Sequence, residues 1–83
     1  MKTHTLRQAL SESDLLALLN WELSAYEECA GDHFTAVTPA SGDEECNWAG
    51  ARLESDHALG ADEERITRLV VDQTRRSYDV ALH

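Results

Sequence analysis

Leucines at 15, 16, 19 and 23, followed by Tyr26, recur at intervals of three and four and gather on one face of a helix at 100° per residue. Ser11 precedes the run as an N-cap, with Ser13 equally suited. Glu12 and Asp14 fall near the helix start, where its dipole favours carboxylates. The helix is expected to stop near Cys29 or Ala30, with Gly31 taking the left-handed conformation beyond it. Residues 33–38 are rich in strand formers, and Pro39 ends that run. Residues 39–45 read as a turn. Residues 47–54 alternate weakly, as in a second strand antiparallel to the first; Trp48 and Leu53 have opposite parity, so the inward face stays open. After a link at 57–60, Asp62 is placed to cap a second helix, with Glu63 and Glu64 in its first turn. Ile66, Leu69, Val70 and Gln73 share the face expected to pack on the sheet. Tyr78, Val80 and Leu82 alternate, as a short third strand or a frayed end. Residues 1–10 read as an N-terminal arm whose Leu6 and Leu10 dock on the body, and residues 11–83 as one domain. The expected fold is α+β, with two helices packed on a small antiparallel sheet in the order α-β-β-α.

A chain of 83 residues makes one small domain, burying about 60–65% of the surface its unfolded form exposes. No stretch approaches the roughly 18 consecutive apolar residues of a membrane span. Met1 to Leu10 carries Lys2 and Arg7 without an apolar core, unlike a secretory signal. These features imply a cytoplasmic protein with reduced cysteines. The net charge of −9 disfavours direct contact with nucleic acid or anionic membrane. Residues 1–64 hold 14 acidic and 3 basic side chains, whereas residues 65–83 hold 2 and 4. The chain is electrically two-sided.

Helix-start chemistry accounts for Asp62, Glu63 and Glu64. It does not account for Glu27 and Glu28, expected at a helix C-terminal end, or for the turn Asp43-Glu44-Glu45. A solvated surface accommodates both clusters; a basic partner would explain them. Trp21 lies away from the core stripe, beside Leu18 and Ala25, so the arm, a partner protein or a second copy should cover it. Arg65, Arg68, Arg75 and Arg76 project from the second helix as a basic stripe, a solvated back or a contact for an acidic partner or a second copy. Cys29, Asp32, His33 and Cys46 are conceivable zinc ligands, although structural zinc sites overwhelmingly use Cys and His, and buried reduced thiols are the ordinary reading. A Cys29–His33 nucleophile pair lacks an orienting group, and no phosphate loop or hydrolase motif is present. The expectation is a non-enzymatic module with no cofactor.

The run Tyr26-Glu27-Glu28-Cys29-Ala30-Gly31-Asp32, a short strand, then Glu45-Cys46-Asn47-Trp48 and Ala51-Arg52-Leu53 resembles small uncharacterised proteins of proteobacteria and their mobile elements. The likeness covers about residues 16–78, and Cys-Asn-Trp is its recognisable core. In that group the position of Asp32 is often a cysteine, so a metal or redox role does not carry over; the resemblance implies the fold and no activity. In size and charge alone the chain also resembles phage-encoded inhibitors of host defence complexes, including anti-CRISPR proteins. That likeness implies occlusion of a basic nucleic-acid channel. The expected function is therefore binding to a basic protein surface through Glu27, Glu28 and Asp43–Glu45, anchored by Trp21. The alternatives are a homodimer and a small zinc domain.

Overall fold

The computed structural model describes residues 8–40 and 46–81. Leu6, Leu82 and the turn Asp43-Glu44-Glu45 lie outside the described residues. The elements are β1 (Gln8–Leu10), α1 (Glu12–Leu23), β2 (Asp32–Pro39), β3 (Trp48–Ser55), α2 (Ala61–Arg75) and β4 (Tyr78–Val80), with a 3-10 turn at Glu27–Cys29. The fold is α+β, as expected. The last three residues of the expected arm instead form β1, which runs parallel to β4 with Gln8 opposite Tyr78 and Leu10 opposite Val80. β2 and β3 form a separate antiparallel pair.

Ser11 caps α1, its hydroxyl accepting the Asp14 amide at 3.1 Å. Leu15, Leu19 and Leu23 are buried, while Leu16 and Tyr26 pack partly buried against them. The helix ends earlier than its apolar period suggests. Ser24 donates its hydroxyl to the Trp21 carbonyl at 2.6 Å, and the amides of Ala25 and Tyr26 bond three residues back. Such local bonding competes with continued helix, and Tyr26 leaves it extended. Glu27 and Glu28 thus belong to a separate 3-10 turn, not to the end of α1. Gly31, at φ +88°, reverses the chain after that turn.

The opposite parity of Trp48 and Leu53 is resolved by a break in register. Thr38 pairs with Gly50 but Pro39 with Trp48, leaving Ala49 without an opposite residue. A bulge-like irregularity of this kind turns residues of opposite parity to one face. Trp48 is fully buried, and Ala51 and Leu53 pack partly buried against the same core.

Cys46, Asn47 and Trp48 together hold β4. Trp48 Nε1 donates to the Tyr78 carbonyl at 2.9 Å, and the Cys46 thiol approaches the same oxygen at 3.6 Å. Between them, Asn47 grips Val80 on both sides. Its Nδ2 donates to the Val80 carbonyl at 2.7 Å, and its Oδ1 accepts the Val80 amide at 2.9 Å. A side-chain amide thereby supplies the pairing that a neighbouring strand would give, and it joins the two sheets. Asn20 does the same from α1, bonding both backbone groups of Phe34 at 2.7 and 3.1 Å.

α2 begins at Gly60 rather than at an Asp62 cap, and the Glu63 carboxylate reaches back to the Gly60 amide at 3.1 Å. Its inward stripe is Ile66, Val70 and Thr74, so Leu69 and Gln73 face outward, contrary to the expected face. Thr74 can be buried because its hydroxyl donates to Glu22 at 2.6 Å. That rotation also brings Arg75 against β3, where Nε donates to the Trp48 carbonyl at 2.8 Å. Arg75 therefore braces the core and is not part of a solvated stripe.

Candidate functional sites

Two regions carry features that folding leaves unexplained. The first surrounds Trp21, whose indole is 74% exposed on α1. Trp21, Ala25 and Tyr26 line a shallow cleft of about 350 Å³ with Glu22, Val70 and Gln73. Leu69, 43% exposed, stands on the next residue of α2 to Val70. Tyr26 leads directly into Glu27 and Glu28, both exposed. Of the basic residues on α2, Arg65 pairs with Asp62 at 3.1 Å on the surface, Arg68 and Arg76 are exposed, and Arg75 is committed to Trp48.

The second region lies where the start of β2 meets the link before α2. The register places Asp32 opposite Ser55, which brings it to the Asp56-His57 step. The His57 ring lies between carboxylates. Nδ1 is 2.6 Å from Asp56 Oδ1, Nε2 is 2.6 Å from Glu63 Oε2, and Nε2 is also 3.8 Å from Asp32 Oδ1. Hydrogen bonds to Asp56 and then Glu63 raise the His57 pKa to about 9, so both ring nitrogens carry protons at neutral pH. The Gly60 amide, followed by His57, lowers the Glu63 pKa. Gly31 closes the site from the side, because a side chain there would meet Asp56 Oδ1 at 2.9 Å.

Asp32 is the exception within this cluster. Its side chain is completely buried, and neither carboxylate oxygen accepts a hydrogen bond. A buried acceptor left that way costs about 1–3 kcal/mol, and more if charged. Asp32, His57 and Glu63 each offer one ligand atom within 4.8 Å of the others, and they are the one such group among the described residues.

The set Cys29, Asp32, His33 and Cys46 does not converge. His33 points to the exposed sheet face, 3.9 Å from Glu54, and Cys46 is engaged by Tyr78. Cys29 is buried, and its thiol is pushed above the usual range by burial first, then by Asp32, Glu63 and Glu28. A thiol held protonated is a poor nucleophile, and His33 lies against Glu54 on the exposed face. Sequence reasoning assigned Glu63 wholly to the helix dipole and passed over His57 as a linker residue. The available signal was local: Asp56 precedes His57, and Glu63 follows six residues later at a helix start. Asp32 had no such signal, because only strand pairing brings it there.

No protein family, curated protein or solved structure matches this chain. Among the described residues, no helix is long and apolar enough to cross a membrane.

The raised His57 pKa makes a directional prediction for the protein in chelated buffer. Its folded value of about 9 exceeds the ordinary 6.5, so its stabilisation is complete below pH 6.5 and disappears as pH rises through 9. Urea midpoints should fall across that window, and His57→Gln should flatten the slope. A His57 ring that titrates near 6.5 by NMR would contradict the arrangement.

Proposed function

We propose that this chain is a non-enzymatic binding module that docks a protein with a basic surface through the Trp21 face of α1. The 74% exposure of Trp21 beside an apolar cleft carries the reading. Exposed tryptophan is the residue type most enriched among interface hot spots, and desolvating it is the largest single gain available on this face. Glu27 and Glu28 supply the charge that selects a basic partner, consistent with the net −9 of the chain. Asp43, Glu44 and Glu45, outside the described residues, contribute to that net charge. In its sharpest form the module occludes a basic nucleic-acid channel, as an inhibitor of the complex that owns it.

The test is affinity capture with the full chain, run beside Trp21→Ala and a Glu27→Lys/Glu28→Lys double variant. A partner retained by the native chain should be lost from both, with Trp21→Ala weakening the purified complex about 30-fold or more. Added salt should weaken it further. Equal retention by all three chains would refute the reading. A concentration-dependent dimer in sedimentation, dissolved by Trp21→Ala, would assign the face to a second copy instead.

A further inference from the structure

We propose that Asp32, His57 and Glu63 bind one divalent first-row transition ion, of the zinc or manganese class, with Asp56 holding the imidazole from behind. The site shares no residue with the Trp21 face, so the two readings stand or fall separately.

The unsatisfied Asp32 carboxylate carries the argument. Completely buried and accepting no hydrogen bond, it faces the two side chains whose oxygen and nitrogen complete a ligand set. The 3.8 Å ion pair with His57 leaves both Asp32 oxygens without a hydrogen bond, whereas a cation between the three groups would engage one directly. Formal charge agrees. Asp32, Asp56 and Glu63 face a single imidazolium, so the cluster keeps unbalanced negative charge until a cation enters.

The three ligand atoms already lie within 4.8 Å of one another. Ligand atoms around an ion with bonds of about 2.0–2.2 Å stand roughly 3–3.5 Å apart. His57 Nε2 is 2.6 Å from Glu63 Oε2 and 3.8 Å from Asp32 Oδ1, bracketing that separation. The ion takes the place of the Nε2 proton, which leaves to solvent. Nδ1 keeps its proton and donates it to Asp56 Oδ1 at 2.6 Å, the carboxylate–histidine arrangement that fixes a ligating imidazole's tautomer and orientation. One imidazole and two carboxylates suit zinc, manganese or iron(II), and they suit calcium and magnesium less well, since those ions favour all-oxygen shells. Three protein ligands leave room for water in the remaining positions.

The experiment uses the full chain, stripped with chelator and dialysed, and titrated separately with zinc chloride and manganese chloride. Calorimetry should show one ion bound per chain with proton release, and the melting temperature should rise with ion concentration. Asp32→Asn, His57→Gln and Glu63→Gln should each weaken binding at least about tenfold, Asp56→Asn about 10–100-fold, and His33→Ala not at all. Asp32→Asn keeps the shape of a side chain that accepts no hydrogen bond in the metal-free protein, so its metal-free melting temperature should change little even as the ion-dependent rise vanishes. His57 is partly exposed, so His57→Gln remains informative should Asp32→Asn misfold. Absence of saturable binding at millimolar free zinc and manganese would overturn the proposal, as would binding unchanged by His57→Gln. A thiolate charge-transfer band with cobalt(II) would overturn the ligand set by making Cys29 a ligand.

Discussion

Trp48→Ala should cost about 3–5 kcal/mol in urea unfolding, the largest loss expected from any single truncation in this chain. The indole is fully buried in the same core cluster as Leu15, Leu19, Leu23 and Val70, and a close-packed core relaxes only partly around a deleted side chain. One further group leans on it, because its Nε1 donates to the Tyr78 carbonyl. Small domains hold about 5–15 kcal/mol in total, so the variant should be largely unfolded at modest urea concentrations. Trp48→Phe narrows the contributions, since it keeps most of the apolar area while removing the indole N–H and part of the fused ring. It should cost about 1–3 kcal/mol, chiefly from a carbonyl left without its best donor. A Trp48→Ala loss below about 1 kcal/mol would mean that the core closes without this side chain.

Asn47→Ala comes second. It breaks both hydrogen bonds to Val80 and leaves the Val80 amide and carbonyl without them, which should cost about 2–4 kcal/mol. The damage should be local before it is global. β4 loses its hold at Val80 and keeps the Trp48 and Cys46 contacts to Tyr78, and β1 holds on through β4, with the Ala81 amide on the Leu10 carbonyl at 2.7 Å and the Gln8 amide on the Ser77 carbonyl at 3.1 Å. Amide exchange at Gln8, Val80 and Ala81 should therefore accelerate far more than at Leu19 or Val70. Asn47→Asp keeps the acceptor for the Val80 amide but removes the donor, so it should fall between the two. Uniform acceleration throughout the chain would show instead that Asn47 is part of one cooperative unit.

The run Cys46-Asn47-Trp48 is thus explained by folding: three consecutive side chains bond the backbone of one strand. Much of that fold was legible because its cause is local. The Ser11 cap, the leucine stripe of α1, the left-handed Gly31 and the two strands around Pro39 all follow from residues near one another in sequence. What was not legible depends on distant contacts. β1 has three residues and no periodicity of its own, and it exists because β4 offers it a partner. The early end of α1 depends on a serine hydroxyl turning back on its own helix. The rotation of α2 depends on Thr74 finding Glu22, without which a buried threonine is a poor choice beside an available Leu69. For the same reason the Asp32–His57–Glu63 group joins residues that only strand register brings together, while the exposed Trp21 could be suspected from a helical wheel.

The parallel seam between β1 and β4 also governs the order in which the fold can be completed. Residue 8 leaves the ribosome some seventy residues before its partner, residue 78. Until then β1 has no strand to pair with, Asn47 has nothing to grip, and the Trp48 indole lacks the Tyr78 carbonyl. The helix-and-hairpin body must wait, half closed, with its central aromatic lacking its partner. Closing contacts so far apart in sequence is the slow kind of step, and the unfinished body is the species most exposed to aggregation during synthesis.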